Sequence, residues 1–301
     1  MANYQEQAAL LLQVLPEIAK EKCFALHGGT AINLFVRNMP RLSVDIDLTY
    51  IPKEDRSSTF ANIEQSLKNI EHRLKKLDPS IKVVVQAHLL KLQIQNSGAS
   101  IKIEVNQGMR GLIGETENRE LCEKAQEEFD AFCIMPCVPF HQLYGGKICA
   151  ALDRQHPRDI FDIKYLLENE VSTKEIKTGF MFCLICSKRP LLEMLFPHYL
   201  NQEQAYNNQF KGMTLEDFTY EDFCATREKL VKTIHQNLSE SDKEFLVNFE
   251  SATPDWSVYN FSDFPAVQWK LKNIEILKEK NPEKHQAGII NLKQKFEELS
   301  C

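Results

Sequence analysis

The sequence predicts an α+β fold, in which a mixed sheet flanked by helices is followed by a mostly helical region. Short apolar runs bounded by turn residues, some of them alternating with polar positions, occur only before about residue 139. After that point, apolar residues recur at the spacing of three and four that is typical of amphipathic helices. We therefore predict an N-terminal domain over residues 1–139 and a helical C-terminal domain over residues 140–301.

Composition, charge and cysteine content indicate a globular protein without a membrane span. The chain has 301 residues, of which 43% are hydrophobic and 26% are charged, and this balance is typical of a globular protein. The net charge of −6 gives no global basic field for nucleic acid. Nine cysteines without a signal peptide indicate reduced thiols, and no apolar run reaches the roughly 18 residues of a membrane span. We expect a cytoplasmic protein.

The first elements follow from their hydrophobic patterns. Apolar residues at helical spacing predict a helix over residues 3–20, and a short apolar run predicts a buried strand over residues 23–26. A glycine pair then opens a helix over residues 30–37. Alternating apolar and acidic residues predict a strand over residues 44–51, and a long amphipathic pattern predicts a helix over residues 56–77.

The later elements complete the two domains. Two strands, over residues 88–95 and 100–107, flank an Asn-Ser-Gly turn and predict a hairpin. Prolines suited to a first helical turn mark two of the helices expected in the C-terminal domain. Four or more helices are expected there, including residues 142–154, 157–168, 214–238 and 282–299.

The most informative stretch joins a glycine turn to two aspartates. Gly28 and Gly29 precede a helix, where free backbone N–H groups favour phosphate, and Thr30 adds a hydroxyl. Asp45 and Asp47 are two residues apart on a predicted strand, so their carboxylates point to one face. Carboxylate oxygens on one face are ligands suited to Mg²⁺. This combination predicts phosphoryl or nucleotidyl transfer.

The predicted hairpin supplies a third acid. Glu104 shares one strand face with Lys102, while the apolar residues of the same strand occupy the other face. Glu104 is therefore a candidate for completing the metal cluster or for taking a proton from an attacking hydroxyl. The alternative is an exposed strand glutamate that pairs only with Lys102.

The motifs GGT, RLSVDIDL and KIEV resemble the nucleotidyltransferase core of the DNA polymerase β superfamily. Within it the chain resembles the AbiEii/AbiGii toxin family, in which Arg41 and Ser43 before the acidic pair are typical. A second typical block, GGKICAALDRQHPRDIFDIKYLL, spans residues 145–167. The usual Gly-Ser of the superfamily is Gly29-Thr30 here, which keeps the hydroxyl. The resemblance implies a polymerase β-like core and places Arg41 and Ser43 among the nucleotide-binding residues.

The second block adds charged residues at a helix junction. The resemblance implies that Lys147 binds the triphosphate and that Asp159 has a catalytic or lysine-positioning role. Arg154 and Arg158 flank a short break between helices and are candidates for binding phosphate. The alternative is that Asp159 only favours the helix dipole, while Arg158 and Asp162 form a surface pair.

Together with the resemblance, these residues predict a metal-dependent nucleotidyltransferase that transfers an NMP from an NTP and releases pyrophosphate. Mg²⁺ or Mn²⁺ is expected at Asp45 and Asp47. The resemblance implies a toxin of a toxin–antitoxin or abortive-infection pair in phage defence, with RNA such as tRNA as acceptor and a separately encoded antitoxin. The alternatives are a nucleotidyltransferase that modifies a protein or small molecule, and a non-catalytic nucleotide-binding protein.

Overall fold

A computed structural model describes residues 4–169 and 173–299. The chain divides into two compact units. The first contains the residues up to Leu143 together with Asn208–Asp217, and the second contains Tyr144–Asn207 together with the residues from Phe218 onward. Among the described residues, no helix has the length and apolar character needed to span a membrane. All eight cysteines that the structure describes are free thiols.

The first unit is built from seven strands and the helices around them. Its strands are β1 (Phe24–His27), β2 (Asp45–Tyr50), β3 (Lys82–Gln86), β4 (Lys91–Gln95), β5 (Ser100–Arg110), β6 (Glu117–Glu120) and β7 (Ile134–Cys137). Its helices are α1 (Tyr4–Ile18), α2 (Gly28–Ala31), which continues as one π-helical turn over Ile32–Val36, α3 (Arg56–Leu77) and α4 (Glu123–Phe129).

The strands form one mixed sheet in the order β3-β4-β5-β2-β1-β7-β6. The pairs β2–β5 and β1–β7 are parallel, and the remaining pairs are antiparallel. One face of β3, β4 and β5 packs against α1 and α3. Apolar residues at alternate positions, among them Leu92, Ile94 and Ile103, are fully buried on that face. The acidic residues of β2 and β5 therefore lie on the opposite face.

The second unit is helical. Its helices are α5 (Phe140–Arg154, which begins in the first unit), α6 (Pro157–Asn169), α7 (Lys174–Ile185), α8 (Leu191–Leu195), α9 (Glu203–Gln209, which ends in the first unit), α10 (Tyr220–Asn237), α11 (Glu240–Glu250), α12 (Pro265–Lys280) and α13 (Pro282–Glu298). A Cβ atom on Gly145 would collide with the backbone of Gly179. The backbones of α5 and α7 therefore pack so closely here that no residue larger than glycine fits. Buried aromatic rings, such as Phe182 and Phe264 at 4.5 Å between centroids, form its core.

The α+β fold class predicted from the sequence is confirmed, while several element bounds differ. The helix predicted over residues 214–238 begins only at Tyr220 in the structure. Three strands (β3, β6, β7) and the helices α4, α8, α9, α11 and α12 were not individually predicted. Leu77, the last apolar residue of the amphipathic pattern over residues 56–77, is 51% exposed. The first residue of the helix predicted from residue 3 lies outside the described residues.

Candidate active site

A glycine turn between β1 and α2 brings the backbone against an acidic side chain. Gly28 has a φ of +75°, a conformation that L-residues rarely adopt. A Cβ atom placed there would lie 2.5 Å from Oδ2 of Asp47. Two properties of glycine are therefore used at one position: its backbone freedom makes the turn, and its missing side chain admits the carboxylate.

The next residue of the turn faces a guanidinium group. A Cβ atom on Gly29 would lie 2.7 Å from Nη2 of Arg41 and 3.4 Å from Oγ of Ser43. Arg41 is buried, and its Nη1 donates to the backbone carbonyl of Leu42 at 2.9 Å. The sequence-predicted residues Arg41 and Ser43 are thus brought beside the glycine turn.

Thr30 ties this turn to the strand that bears the aspartates. Its hydroxyl is 2.9 Å from the hydroxyl of Ser43 and donates to the backbone carbonyl of Asp45 at 2.5 Å. Thr30 and Ser43 are both buried, so these bonds are shielded from water. Asn33 adds a further restraint, because its Nδ2 donates to the carbonyl of Gly29 at 2.9 Å.

A segment from much later in the chain holds the loop that carries Arg41. The backbone N–H of Leu42 donates to the carbonyl of Met213 at 2.7 Å. The hydroxyl of Thr214 donates to the carbonyl of Pro40 at 2.9 Å. Met213 is buried within the first unit. The loop is therefore fixed on both sides of Arg41.

The acids of β2 and β5 are aligned by the strand register. Asp45 lies opposite Lys102 and Asp47 opposite Glu104 in the parallel pair. The ammonium of Lys102 is 3.9 Å from Oδ1 of Asp45 and 3.1 Å from Oε1 of Glu104. Lys91 on β4 bonds the same Glu104 oxygen at 2.9 Å. The pairing of Glu104 with Lys102, considered from the sequence, is thus present together with a second lysine bond.

The surroundings shift the pKa values of two of these groups. Burial alone would raise the pKa of Glu104, but hydrogen bonds from Lys91 and Lys102 outweigh it and lower this pKa. Burial opposes the charge of Lys102, whereas Asp45 and Glu104 favour it, and the pKa of Lys102 is raised. Glu104 and Lys102 are therefore both charged at neutral pH.

The donor set beside the turn fits a hard divalent cation bound together with a nucleotide. Within the described residues, no cluster of three or more His, Cys, Asp or Glu side chains could by itself hold a metal ion. Asp45 and Asp47 form a pair on one face of β2, with the Asp47 carboxylate against Gly28. Mg²⁺ binds through one or two carboxylates and completes its shell with phosphate and water. A role for Glu104 as third ligand stays a prediction.

The second unit contains a buried ionic cluster built by α5 and α6. The ammonium of Lys147 is 2.8 Å from Oδ1 of Asp159 and 2.9 Å from Oδ2 of Asp162, and all three side chains are buried. Arg154, whose side chain is 63% exposed, donates to both oxygens of Asp159 at 2.5 and 3.0 Å. This cluster joins the two helices across the bend at their junction.

The ionisation of Asp159 is set by this cluster. Burial would raise its pKa, but the charges of Lys147 and Arg154 outweigh burial and hold the pKa well below its usual range. Arg158 lies in the first turn of α6, where its backbone N–H donates to Nδ1 of His156 at 3.2 Å. The functional roles assigned to Lys147, Asp159, Arg154 and Arg158 from the sequence stay predictions.

Comparison with known protein families identifies the family to which the chain belongs. The sequence profile described as "Nucleotidyl transferase AbiEii toxin, Type IV TA system" matches residues 9–273. The chain belongs to this AbiEii toxin family. It is a nucleotidyltransferase toxin of a type IV toxin–antitoxin system, so an NTP substrate and an antitoxin partner follow from the family. A search of curated proteins gave no match.

A solved structure supports the fold of this AbiEii-family enzyme. MenT4, a nucleotidyltransferase toxin from Mycobacterium tuberculosis H37Rv, superposes with a TM-score of 0.62 at 10% sequence identity. The alignment covers 90% of this chain and 93% of that chain. At this level of identity the similarity shows the fold alone.

Three features of the AbiEii-family site were not predicted from its sequence. Asn33, Lys91 and the segment around Met213 and Thr214 all contact site residues. A polar residue within the apolar run INLF was a visible signal for Asn33. The contact from Met213 had no local signal, because it joins positions far apart in the chain.

Proposed function

We propose that the enzyme binds an NTP with Mg²⁺ or Mn²⁺ at Asp45 and Asp47 and transfers the NMP to RNA, such as tRNA, releasing pyrophosphate. One observation carries this proposal. The carboxylate of Asp47 lies against the α-carbon of Gly28, where a side chain would overlap it. A phosphate at the turn and a cation at the aspartates would therefore be neighbours.

The turn and its arginine supply the positive groups for phosphate. Gly28 and Gly29 leave the backbone accessible, and Thr30 fixes the turn against β2 through its hydroxyl. The guanidinium of Arg41 lies beside Gly29 and offers a planar set of donors that matches phosphate oxygens. Ser43 orients Thr30 at 2.9 Å.

The two aspartates supply the negative groups. When bound, a divalent cation would neutralise the charge that develops on the phosphates during transfer. Asp45 and Asp47 would hold it from one face of β2, with Oδ2 of Asp47 directed at the turn. Asp45 has an ammonium neighbour, Lys102, at 3.9 Å, which limits the repulsion between the carboxylates before substrate binds.

Glu104 is better suited to charge balance than to proton abstraction. A general base works best when its pKa is near the operating pH. Hydrogen bonds from Lys91 and Lys102 lower the pKa of Glu104, which moves it further below neutral pH. The Glu104 carboxylate is therefore a weak base. We therefore assign Glu104 to holding Lys102 and Lys91 beside the aspartates.

Lys147 is proposed to bind the triphosphate, as the family resemblance implies. Its ammonium already bonds Asp159 and Asp162. Binding of phosphate requires at least one of these carboxylates to be exchanged, with Arg154 available to keep Asp159 compensated. Replacing Lys147 should therefore affect folding as well as nucleotide binding.

The toxin role rests on the family. We propose that modification of RNA arrests growth during phage infection and that a separately encoded antitoxin prevents it.

The test uses each ribonucleoside triphosphate in turn, radiolabelled at the α-phosphate, with Mg²⁺, total RNA and total protein. Wild type is compared with Asp45→Asn and Asp47→Asn, and with Gly288→Ala as a control. Gly288 has no atom within 4 Å of the position of an added Cβ, so this variant should fold. We expect label in RNA with wild type and Gly288→Ala only.

Label in protein would overturn RNA as the acceptor while keeping the reaction. Equal labelling of RNA by wild type and by both aspartate variants would overturn the assignment of Asp45 and Asp47. Absence of label from every acceptor, with folded wild-type protein, would overturn the proposed transfer.

A further inference from the structure

The sheet face that bears the catalytic aspartates continues across three more strands. Register places Asp47, Glu104, Lys91 and Gln86 in one row from β2 to β3. A second row contains Asp45, Lys102, Gln93 and Val84, and a third contains Ser100, Gln95 and Lys82. Residues directly opposite each other point to the same face, so these side chains share one surface with the aspartates.

This surface, which we term the open face, is exposed. Lys82, Gln93 and Gln95 are exposed, and Val84 is 55% exposed. The apolar residues between them point to the other face, where α1 and α3 cover them. With strands about 4.8 Å apart, the open face extends roughly 14 Å from Asp47 to Gln86.

The open face has a distinct chemical character. It carries three lysines and three carboxylates. Lys91 and Lys102 bond Glu104 close to the aspartate pair, whereas Lys82 lies at the exposed outer end, in the row farthest from Asp47. Its other polar side chains are the amides of glutamines 86, 93 and 95 and the hydroxyl of Ser100. Val84 is its one apolar side chain among these positions, and none is aromatic.

This character favours one class of partner. Protein interfaces are built around a core rich in aromatic and apolar residues, which this surface lacks. Lysines attract phosphates, and glutamine amides both donate to and accept from base edges. An exposed face with lysines and amides can follow the backbone and base edges of an extended single strand through charge and hydrogen bonds.

We propose that the open face binds a single-stranded segment of the RNA acceptor and leads its reactive hydroxyl to Asp45 and Asp47. The proposal rests on the proposed function, because it assigns the place of the acceptor in that reaction. The outer lysine, Lys82, contacts the acceptor at a distance from the nucleotide. Because the surface has no aromatic side chain, binding depends on charge and hydrogen bonds rather than on base stacking.

The test separates binding from chemistry. The binding of a fluorescein-labelled single-stranded oligoribonucleotide is measured by anisotropy with Asp47→Asn as the background, over a series of salt concentrations. Lys82→Glu and Gln95→Glu are added to this background. The matched control is Lys76→Glu, an equal charge reversal at an exposed position of α3.

We expect Lys82→Glu to weaken RNA binding roughly tenfold. The slope of the logarithm of the binding constant against the logarithm of the salt concentration should become shallower by about 0.7, because one phosphate contact is lost. Gln95→Glu should weaken binding in the same direction, and Lys76→Glu should leave it within about twofold. Equal effects of Lys82→Glu and Lys76→Glu would overturn the proposal, as would undiminished RNA binding by both open-face variants.

The outcomes also distinguish this inference from the proposed function. In the labelling assay, Lys82→Glu in the otherwise wild-type enzyme should raise the KM for RNA and leave the affinity for NTP unchanged. If aspartate-dependent labelling of RNA is observed while Lys82→Glu has no effect on binding, the open face does not bind the RNA, and the proposed nucleotidyl transfer is unaffected. Labelling of protein alone would overturn the open face as an RNA surface and the RNA acceptor together.

Discussion

The hydroxyl of Thr30 donates to the backbone carbonyl of Asp45 at 2.5 Å, which joins the glycine turn directly to the acidic strand. The same hydroxyl is 2.9 Å from that of Ser43, so a single buried side chain fixes the turn, the incoming loop and β2. The proposed phosphate-binding turn and the proposed metal-binding strand are therefore held together by one side chain.

Replacing this hydroxyl should damage the site with a limited loss of stability. Thr30→Val keeps the shape but leaves Ser43 and the Asp45 carbonyl without this partner, which we expect to cost about 1–3 kcal/mol in the free energy of unfolding and to weaken NTP binding. Thr30→Ser keeps the hydroxyl and serves as the control. Urea denaturation and nucleotide titration measure the two effects, and equal NTP affinity in both variants would contradict the account.

The two glycines of the turn should differ in their sensitivity. Gly28→Ala meets both a positive φ and the Asp47 carboxylate at 2.5 Å, so we expect loss of nucleotide binding and of activity. Gly29→Ala meets the end of the flexible Arg41 side chain at 2.7 Å and should weaken binding less. Gly288→Ala, inside α13, should stabilise the fold by up to about 1 kcal/mol. A reversed order of Gly28→Ala and Gly29→Ala in a nucleotide titration would refute this explanation.

The segment that holds the Arg41 loop should influence nucleotide affinity from outside the site. Thr214→Val removes the bond to the carbonyl of Pro40, and we expect a several-fold weaker NTP affinity at a cost of about 1 kcal/mol in stability. Thr214→Ser should restore both. An unchanged affinity in Thr214→Val would mean that this segment does not position Arg41.

The buried cluster should make stability depend on pH in one direction. The pKa of Asp159 is lower in the folded protein than the unfolded value of about 3.9. The contribution of ionised Asp159 to the free energy of unfolding is therefore complete well above pH 4. It is lost as the pH falls through the pKa of the unfolded state towards the pKa of the folded state. We expect Asp159→Asn to be much less stable than wild type at pH 7, with the difference shrinking as urea denaturation is repeated down to about pH 3. A constant difference would be inconsistent with this linkage.

Lys147→Met should be severe for the same physical reason. It removes the ammonium that bonds two buried carboxylates, Asp159 and Asp162, which we expect to cost about 3–5 kcal/mol in unfolding free energy. Combining it with Asp162→Asn removes the excess charge and should recover part of this loss. A double variant that is less stable than Lys147→Met would argue against charge balance as the cause.

Local patterns predicted the parts of the site that lie close together in the sequence. The glycine turn and the Asp-x-Asp strand follow from short-range signals, because a turn, a helix start and a period of two are local properties. The same holds for β5, where Glu104 and Lys102 alternate with buried residues. Helices starting at Pro157 and Pro282 were also identified, because proline favours the first turn.

The remaining features depend on contacts between distant residues. Glu117–Glu120 forms β6 without any apolar alternation, because it pairs with β7 through backbone hydrogen bonds. The position of Arg41 depends on Met213 and Thr214, which no local pattern relates to it. Asp162 bonds Lys147 across a helix junction, and no spacing within α6 indicated this partner. Such pairs become visible only when the chain is folded.

In the proposed function, the glycine turn and the aspartate pair form one site for a metal and a nucleotide. The most direct test of this claim is calorimetric titration of a non-hydrolysable NTP analogue, with and without Mg²⁺, into wild type, Gly28→Ala, Asp47→Asn and the control Gly288→Ala. We predict metal-dependent binding by wild type and Gly288→Ala, and its loss in the other two variants. Metal-dependent binding of equal affinity in all four proteins would contradict the account.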